Sequence, residues 1–172
     1  MKRIECGMRT AIVYYSMSGN TAFIAEKLAE GTEADLIEIR PVKAYPGKGV
    51  RKFLWGGKSA VMEETPSLEP YKFRGEEYGR IVIGFPVWAG NMAPPVRTFL
   101  KENRDMLQNK KVYAFACQSG NGAEKAFGKL QECLGGKSLD GTLVLIDPKK
   151  KKTEEALRKT GEFREKLLQE QP

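Results

Sequence analysis

The chain contains no histidine among its 172 residues. The commonest general base and zinc ligand are therefore missing, and with them the Ser-His and Cys-His nucleophile pairs. Cysteine is scarce as well. Cys6, Cys117 and Cys133 are odd in number and lack a metal-ligand spacing, a usage that points to a reducing, cytoplasmic interior. No apolar run is long enough to span a membrane, and nothing resembles the charged and apolar regions of a signal peptide. A chain with so few reactive side chains is expected to leave any chemistry to a bound group.

Hydrophobic residues make up 41% and charged residues 30% of the chain, the balance of an ordinary globular protein. The length suits one domain with a full core, read here as residues 8–172 behind a flexible tail at 1–7. Met8 could serve as an alternative start. The formal net charge of +7 raises nucleic acid as a partner. The distribution disfavours it. Arg40, Lys43, Lys48, Arg51, Lys52 and Lys58 share an acid-free stretch that reads as a docking surface for an acidic partner or an anionic cosubstrate. The run Lys149–Lys152 is followed by Glu154 and Glu155 and reads as a solvated entry to a helix.

Three short apolar runs, Ala11–Tyr15, Ile81–Phe85 and Val112–Cys117, have the unbroken pattern of strands buried on both faces. Ala34–Ile39 and Leu143–Ile146 are weaker and suit the edges, with the last strand running uninterrupted from Leu139 to Ile146. Helical periodicity fills the intervals at Thr21–Glu30, after Pro94-Pro95, at Ala123–Leu134 and at Thr153–Gln169. A further helix somewhere in Gly49–Glu63 is weakened by Gly56-Gly57. Five β-α units with right-handed crossovers give a three-layer, doubly wound α/β fold. Its five-stranded parallel sheet has the order 2-1-3-4-5 and a switch point between the first and third strands.

Every β→α loop of such a sheet leaves from one edge. Ser16–Thr21, Pro86–Ala93 and Gln118–Gly122 thus meet at the switch point, and all three are rich in small residues. The first is the most telling. Nothing between Tyr14 and Phe23 is charged, so the lysine of the common nucleotide loop is absent. Ser16, Ser18 and Thr21 offer hydroxyls instead, and the amides of Gly19, Asn20 and Thr21 open a helix. That combination suits a single phosphate monoester held by dipoles. Trp88, in the second loop, offers stacking area to a planar ligand. Each feature has a plainer reading: a capped turn, a core tryptophan, a strand-end thiol at Cys117.

The motifs Y-Y-S-M-S-G-N-T at 14–21, G-F-P-V-W-A-G-N at 84–91 and A-P-P-V-R-T-F-L at 93–100 together resemble the flavodoxin family, in its short-chain form. The resemblance runs from Ala11 to about Gln169 and implies FMN as the cofactor. By it, Ser16, Met17, Ser18, Gly19, Asn20 and Thr21 would hold the FMN phosphate. Pro86, Val87, Trp88, Ala89, Gly90 and Asn91 would border the isoalloxazine. Gln118, Ser119, Gly120, Asn121 and Gly122 would contact its pyrimidine edge. Two departures stand out: the third loop has no aromatic residue, and the chain is basic where many family members are acidic.

Three functions are compatible with this reading. One is a flavoprotein carrier in electron transport, passing electrons between redox partner proteins. Another is an oxidoreductase taking hydride from NAD(P)H and reducing a quinone or similar small acceptor, favoured by the open third loop and the 40–58 cluster. The third is a non-redox module that binds a phosphate ligand. No metal site or membrane contact is expected. The oligomeric state and the preference between NADH and NADPH stay open.

Overall fold

A computed structural model describes residues 9–45, 58, 60–150 and 153–170. Five parallel strands form its spine: β1 (Arg9–Tyr14), β2 (Asp35–Glu38), β3 (Tyr78–Trp88), β5 (Lys111–Gln118) and β6 (Gly141–Ile146). A two-residue strand, β4 (Asn91–Met92), folds back antiparallel on β3. The spatial order is β2-β1-β3-β5-β6, which is the expected 2-1-3-4-5 once the short return strand is set aside.

The central strands are buried on both faces because both faces are covered by helices. Ala11, Ile12 and Val13, Ile81, Val82 and Ile83, and Val112 through Ala116 are all essentially inaccessible. The edge strands show the opposite: Leu36 on β2 and Ile146 on β6 reach solvent. Each fully buried Ile or Phe contributes on the order of 1.5–3 kcal/mol of transfer free energy. Register is thereby fixed, since slipping one residue would expose a whole face.

Helices α1 (Asn20–Ala29) and α4 (Thr153–Gln169) cover one face. Ile24, Ala25, Leu28, Ala156, Phe163 and Leu167 pack there on Ile12, Val82, Phe115 and Leu145. Helices α2 (Pro94–Leu107) and α3 (Ala123–Cys133) cover the other, burying Val96, Phe99, Leu100, Phe127 and Leu130 on Val13, Ile81, Ile83 and Ala114. Pro94 and Pro95 occupy the first turn of α2, where their missing N–H groups cost nothing.

Besides other shifts at the element ends, three details differ from the sequence reading. The segment Pro86–Ala93 is not a plain loop: β3 continues through Trp88 and returns as β4. The last strand begins at Gly141 rather than Leu139; just before it, the exposed Asp140 uses its carboxylate to accept the Val112 N–H at 2.8 Å. β2 is shorter than Ala34–Ile39 and spans Asp35–Glu38. The tail at 1–7, Met8 and most of the helix expected in Gly49–Glu63 lie outside the described residues. No helix among them is long and apolar enough to cross a membrane.

Candidate functional site

The C-terminal ends of β1, β3, β5 and β6 lie along one edge of the sheet, and the loops that leave them assemble the site. After β1 the chain turns through Gly19, which is left-handed (φ 91°) and opens α1 without a side-chain cap. The first intrahelical bond runs from the Phe23 N–H to the Gly19 carbonyl at 3.0 Å. The Ala22 N–H is taken by Ser16 Oγ at 3.1 Å. The amides of Gly19, Asn20 and Thr21 thus precede the helical ladder and have no carbonyl of their own helix to bond.

The three expected hydroxyls part company here. Ser16 lies at the nest and keeps a hydroxyl proton to donate. Ser18 is exposed. Thr21 is buried, and its hydroxyl hydrogen-bonds Cys117. Met17 packs against the core. Burial pushes the Cys117 thiol up to about 12, opposed by the Thr21 bond. The plain reading of Cys117 as a strand-end core thiol fits that environment.

The second loop is a tight hairpin. Trp88 pairs with Asn91 across Ala89 and Gly90, whose φ angles are both positive (50° and 70°). That is the signature of a type I′ turn. The Trp88 ring is half-buried and meets two tyrosines edge-on: Tyr15 at 5.8 Å and Tyr45 at 5.1 Å between centroids. Burial, then Tyr45, raises the pKa of Tyr15 far above its ordinary value. Pro86 and Val87 lie in β3 beside this cluster.

Asn91 does not face outward. It is buried, donates its amide to the Ala60 carbonyl at 3.1 Å, and accepts from the Met92 N–H and from Arg97 Nη2, each at 2.9 Å. Arg97 is itself buried and also donates to Cys133 Sγ at 3.1 Å, with Glu63 3.9 Å away. Arg97, and after it Lys129, hold the Glu63 carboxyl below the ordinary carboxylate range. This network fixes the hairpin to α2 and to the segment around Ala60.

In the third loop, Gln118 Oε1 caps α3 by accepting the Ala123 N–H at 3.0 Å. Ser119, Gly120 and Asn121 are exposed. Gly122 is left-handed (φ 106°), and a Cβ there would lie 2.9 Å from Gly90 Cα. The second and third loops therefore touch backbone to backbone. The Lys125 stem lies along Gly90, its Cδ 3.1 Å from where a Cβ would be.

A fourth loop, after β6, joins the three that were expected. The Asp147 N–H donates to the Gln118 carbonyl at 3.0 Å, and Ser119 Oγ donates to Asp147 Oδ1 at 2.9 Å. The Lys149 N–H donates to Asn20 Oδ1 at 3.2 Å. Lys149 Nζ lies 3.3 Å from the position a Gly19 Cβ would take. The lysine run read as a solvated helix entry is exposed at Lys149 and Lys150, and Lys149 in addition leans over the first loop. Sequence reasoning missed Lys149, Asp147, Tyr15, Tyr45 and Arg97. One signal was available for Lys149 and Asp147, since they immediately follow a parallel strand and so had to emerge at the same edge.

A family model described as flavodoxin matches residues 9–160. Among solved structures, the chain is similar to a flavoprotein from Lactobacillus acidophilus NCFM crystallised in complex with FMN. The two share 23% identity over 80% of this chain and 93% of that one, with a TM-score of 0.70. A protein from Bacteroides eggerthii shares 20% identity over 94% and 99% of the two chains, at a TM-score of 0.74. Oxidised Flavodoxin 1 from Bacillus cereus shares 17% identity over 95% and 99%, at 0.57.

Proposed function

The chain belongs to the flavodoxin family, and from that premise we propose that it binds FMN and carries electrons between partner proteins. The single observation behind this reading is the first loop. Three amides without helical partners and the Ser16 hydroxyl converge at the positive end of α1. A phosphate monoester satisfies that donor set.

The rest of the site fits the same group. Trp88, braced edge-on by Tyr15 and Tyr45, offers aromatic surface for a planar ring system. The close approach at Gly90 and Gly122 joins the second and third loops backbone to backbone. Arg97 and Asn91 hold the hairpin in place, and Gln118 holds the start of α3. Bound FMN supplies the electron-transfer chemistry. The chain's own residues bind it, orient it and exclude water from one side.

A second reading, an NAD(P)H-dependent reductase of small acceptors, draws on the third loop. Ser119, Gly120 and Asn121 are exposed and carry no aromatic ring, which leaves room beside the ring site for a second substrate. Anaerobic titration of the purified yellow protein separates the two readings. A carrier keeps its oxidised visible spectrum in excess NADPH or NADH and is reduced by dithionite; bleaching by NADPH or NADH alone would instead establish the reductase. Protein that stays colourless after incubation with FMN would overturn both.

A further inference from the structure

We propose that Lys149 is a phosphate-binding residue, delivered to the uncharged first loop from the far end of the chain, and that it makes the site select FMN over riboflavin. The proposal rests on the FMN reading above. The first loop has no cation of its own, whereas a phosphate monoester carries a charge of about −1.5 to −2 at neutral pH. The Lys149 ammonium stands 3.3 Å from the empty Cβ position of Gly19, the residue that opens α1.

Its placement is built, not incidental. Asp147, left-handed at φ 40°, is bound to the third loop through Gln118 and Ser119. The Lys150 N–H closes a turn on the Asp147 carbonyl at 2.9 Å, and Pro148 is buried. Lys149 itself is tied to the first loop by its N–H bond to Asn20 Oδ1. At the other end of α4, Arg164 donates to the carbonyls of Lys27 and Glu30 at 3.1 and 3.2 Å. That fixes α4 lengthwise against α1, with the entry to α4 beside the start of α1.

The electrostatics point the same way. A lysine at the N-terminal end of a helix opposes the helix dipole. Lys149 stands at such an end, that of α1, and among the described residues no carboxylate forms an ion pair with it. An anion seated between Lys149 and the Gly19–Thr21 amides converts that unfavourable arrangement into a charge-assisted one. Riboflavin, which has no phosphate, gains nothing from it.

The test is direct titration of the full-chain apoprotein with FMN and with riboflavin, read by quenching of flavin fluorescence. It compares wild type with Lys149→Gln, Lys149→Arg and the neighbouring control Lys150→Gln. Lys149→Gln is expected to weaken FMN binding about tenfold, to flatten its dependence on salt, and to leave riboflavin binding unchanged. Lys149→Arg should retain most of the FMN affinity, and Lys150→Gln should behave as wild type. Wild-type FMN affinity in Lys149→Gln, or an equal loss for both flavins, would overturn the proposal while leaving the FMN reading intact. Wild-type protein that takes up neither flavin would instead sink the reading beneath it, and the proposal with it.

Discussion

Gly122 is the residue at which two loops of the site meet. Its φ of 106° and the 2.9 Å separation between its absent Cβ and Gly90 Cα leave no freedom for a side chain. The obstacle is backbone, which cannot swing aside. Gly122→Ala is expected to destabilise the protein by about 1–3 kcal/mol in urea unfolding, combining left-handed strain with displacement of the hairpin. FMN affinity should fall by about tenfold or more in the same variant, since the loops would part. Unchanged values in both measurements would show that the contact is not tight. The neighbour of Gly122 across the site was not legible in the sequence, because Gly90 and Gly122 are brought together only by the pairing of β3 with β5. Arg97 was hidden for a related reason. A charged residue in a helix is ordinarily exposed, yet Arg97 is buried and bonds Asn91 and Cys133.

The hairpin of β3 and β4 is the element the sequence disguised. Two-residue type I′ turns favour Asn-Gly or Gly-Gly, and here the first position is Ala89, a residue with a Cβ held at φ 50°. A small-residue segment without the usual turn pair looks like an irregular loop. The strain also makes a prediction. Ala89→Gly should raise stability by about 0.5–1 kcal/mol, read as a higher urea midpoint, because relief of the left-handed conformation outweighs the extra entropy of glycine. A lower midpoint would mean that Ala89 contributes packing that outweighs the strain. By contrast, the helices were read closely: α4 spans the expected Thr153–Gln169, and α3 differs from expectation by one residue. Those segments carry an apolar stripe of helical period, and tertiary contacts merely confirm what the stripe dictates.

At the scale of the whole molecule, the lack of histidine leaves a protein with no imidazole to titrate between pH 5 and 8. Burial first, then the nearby carboxylates Glu102, Asp35 and Glu170 respectively, push Tyr71, Tyr78 and Tyr113 up to about 12. Each fold-imposed pKa lies above the unfolded phenol's value of about 10, so the associated stability is complete below that value and lost as pH rises toward 12. Cys117 has the same sign and begins earlier, from the unfolded thiol's value of about 8.5. The urea midpoint is therefore expected to stay flat from roughly pH 6 to 8, decline gently above that and steepen beyond about pH 10, in step with tyrosinate absorbance. A titration centred between pH 6 and 7 would contradict this account.

The sequence by itself determined the order of the five long strands, the helices between them and the uncharged character of the first loop. Each of these is written in a local pattern of burial or of residue type, and local patterns survive without knowledge of neighbours. Only the tertiary structure decided what surrounds that loop: Tyr45 against Trp88, Arg97 beneath Asn91, and Lys149 over Gly19, the last joined to Asn20 across a separation of 129 residues. Such juxtapositions follow from where a parallel sheet releases its loops and how its helices pack. A lysine in a charge run looks solvated until the fold shows which helix end it faces.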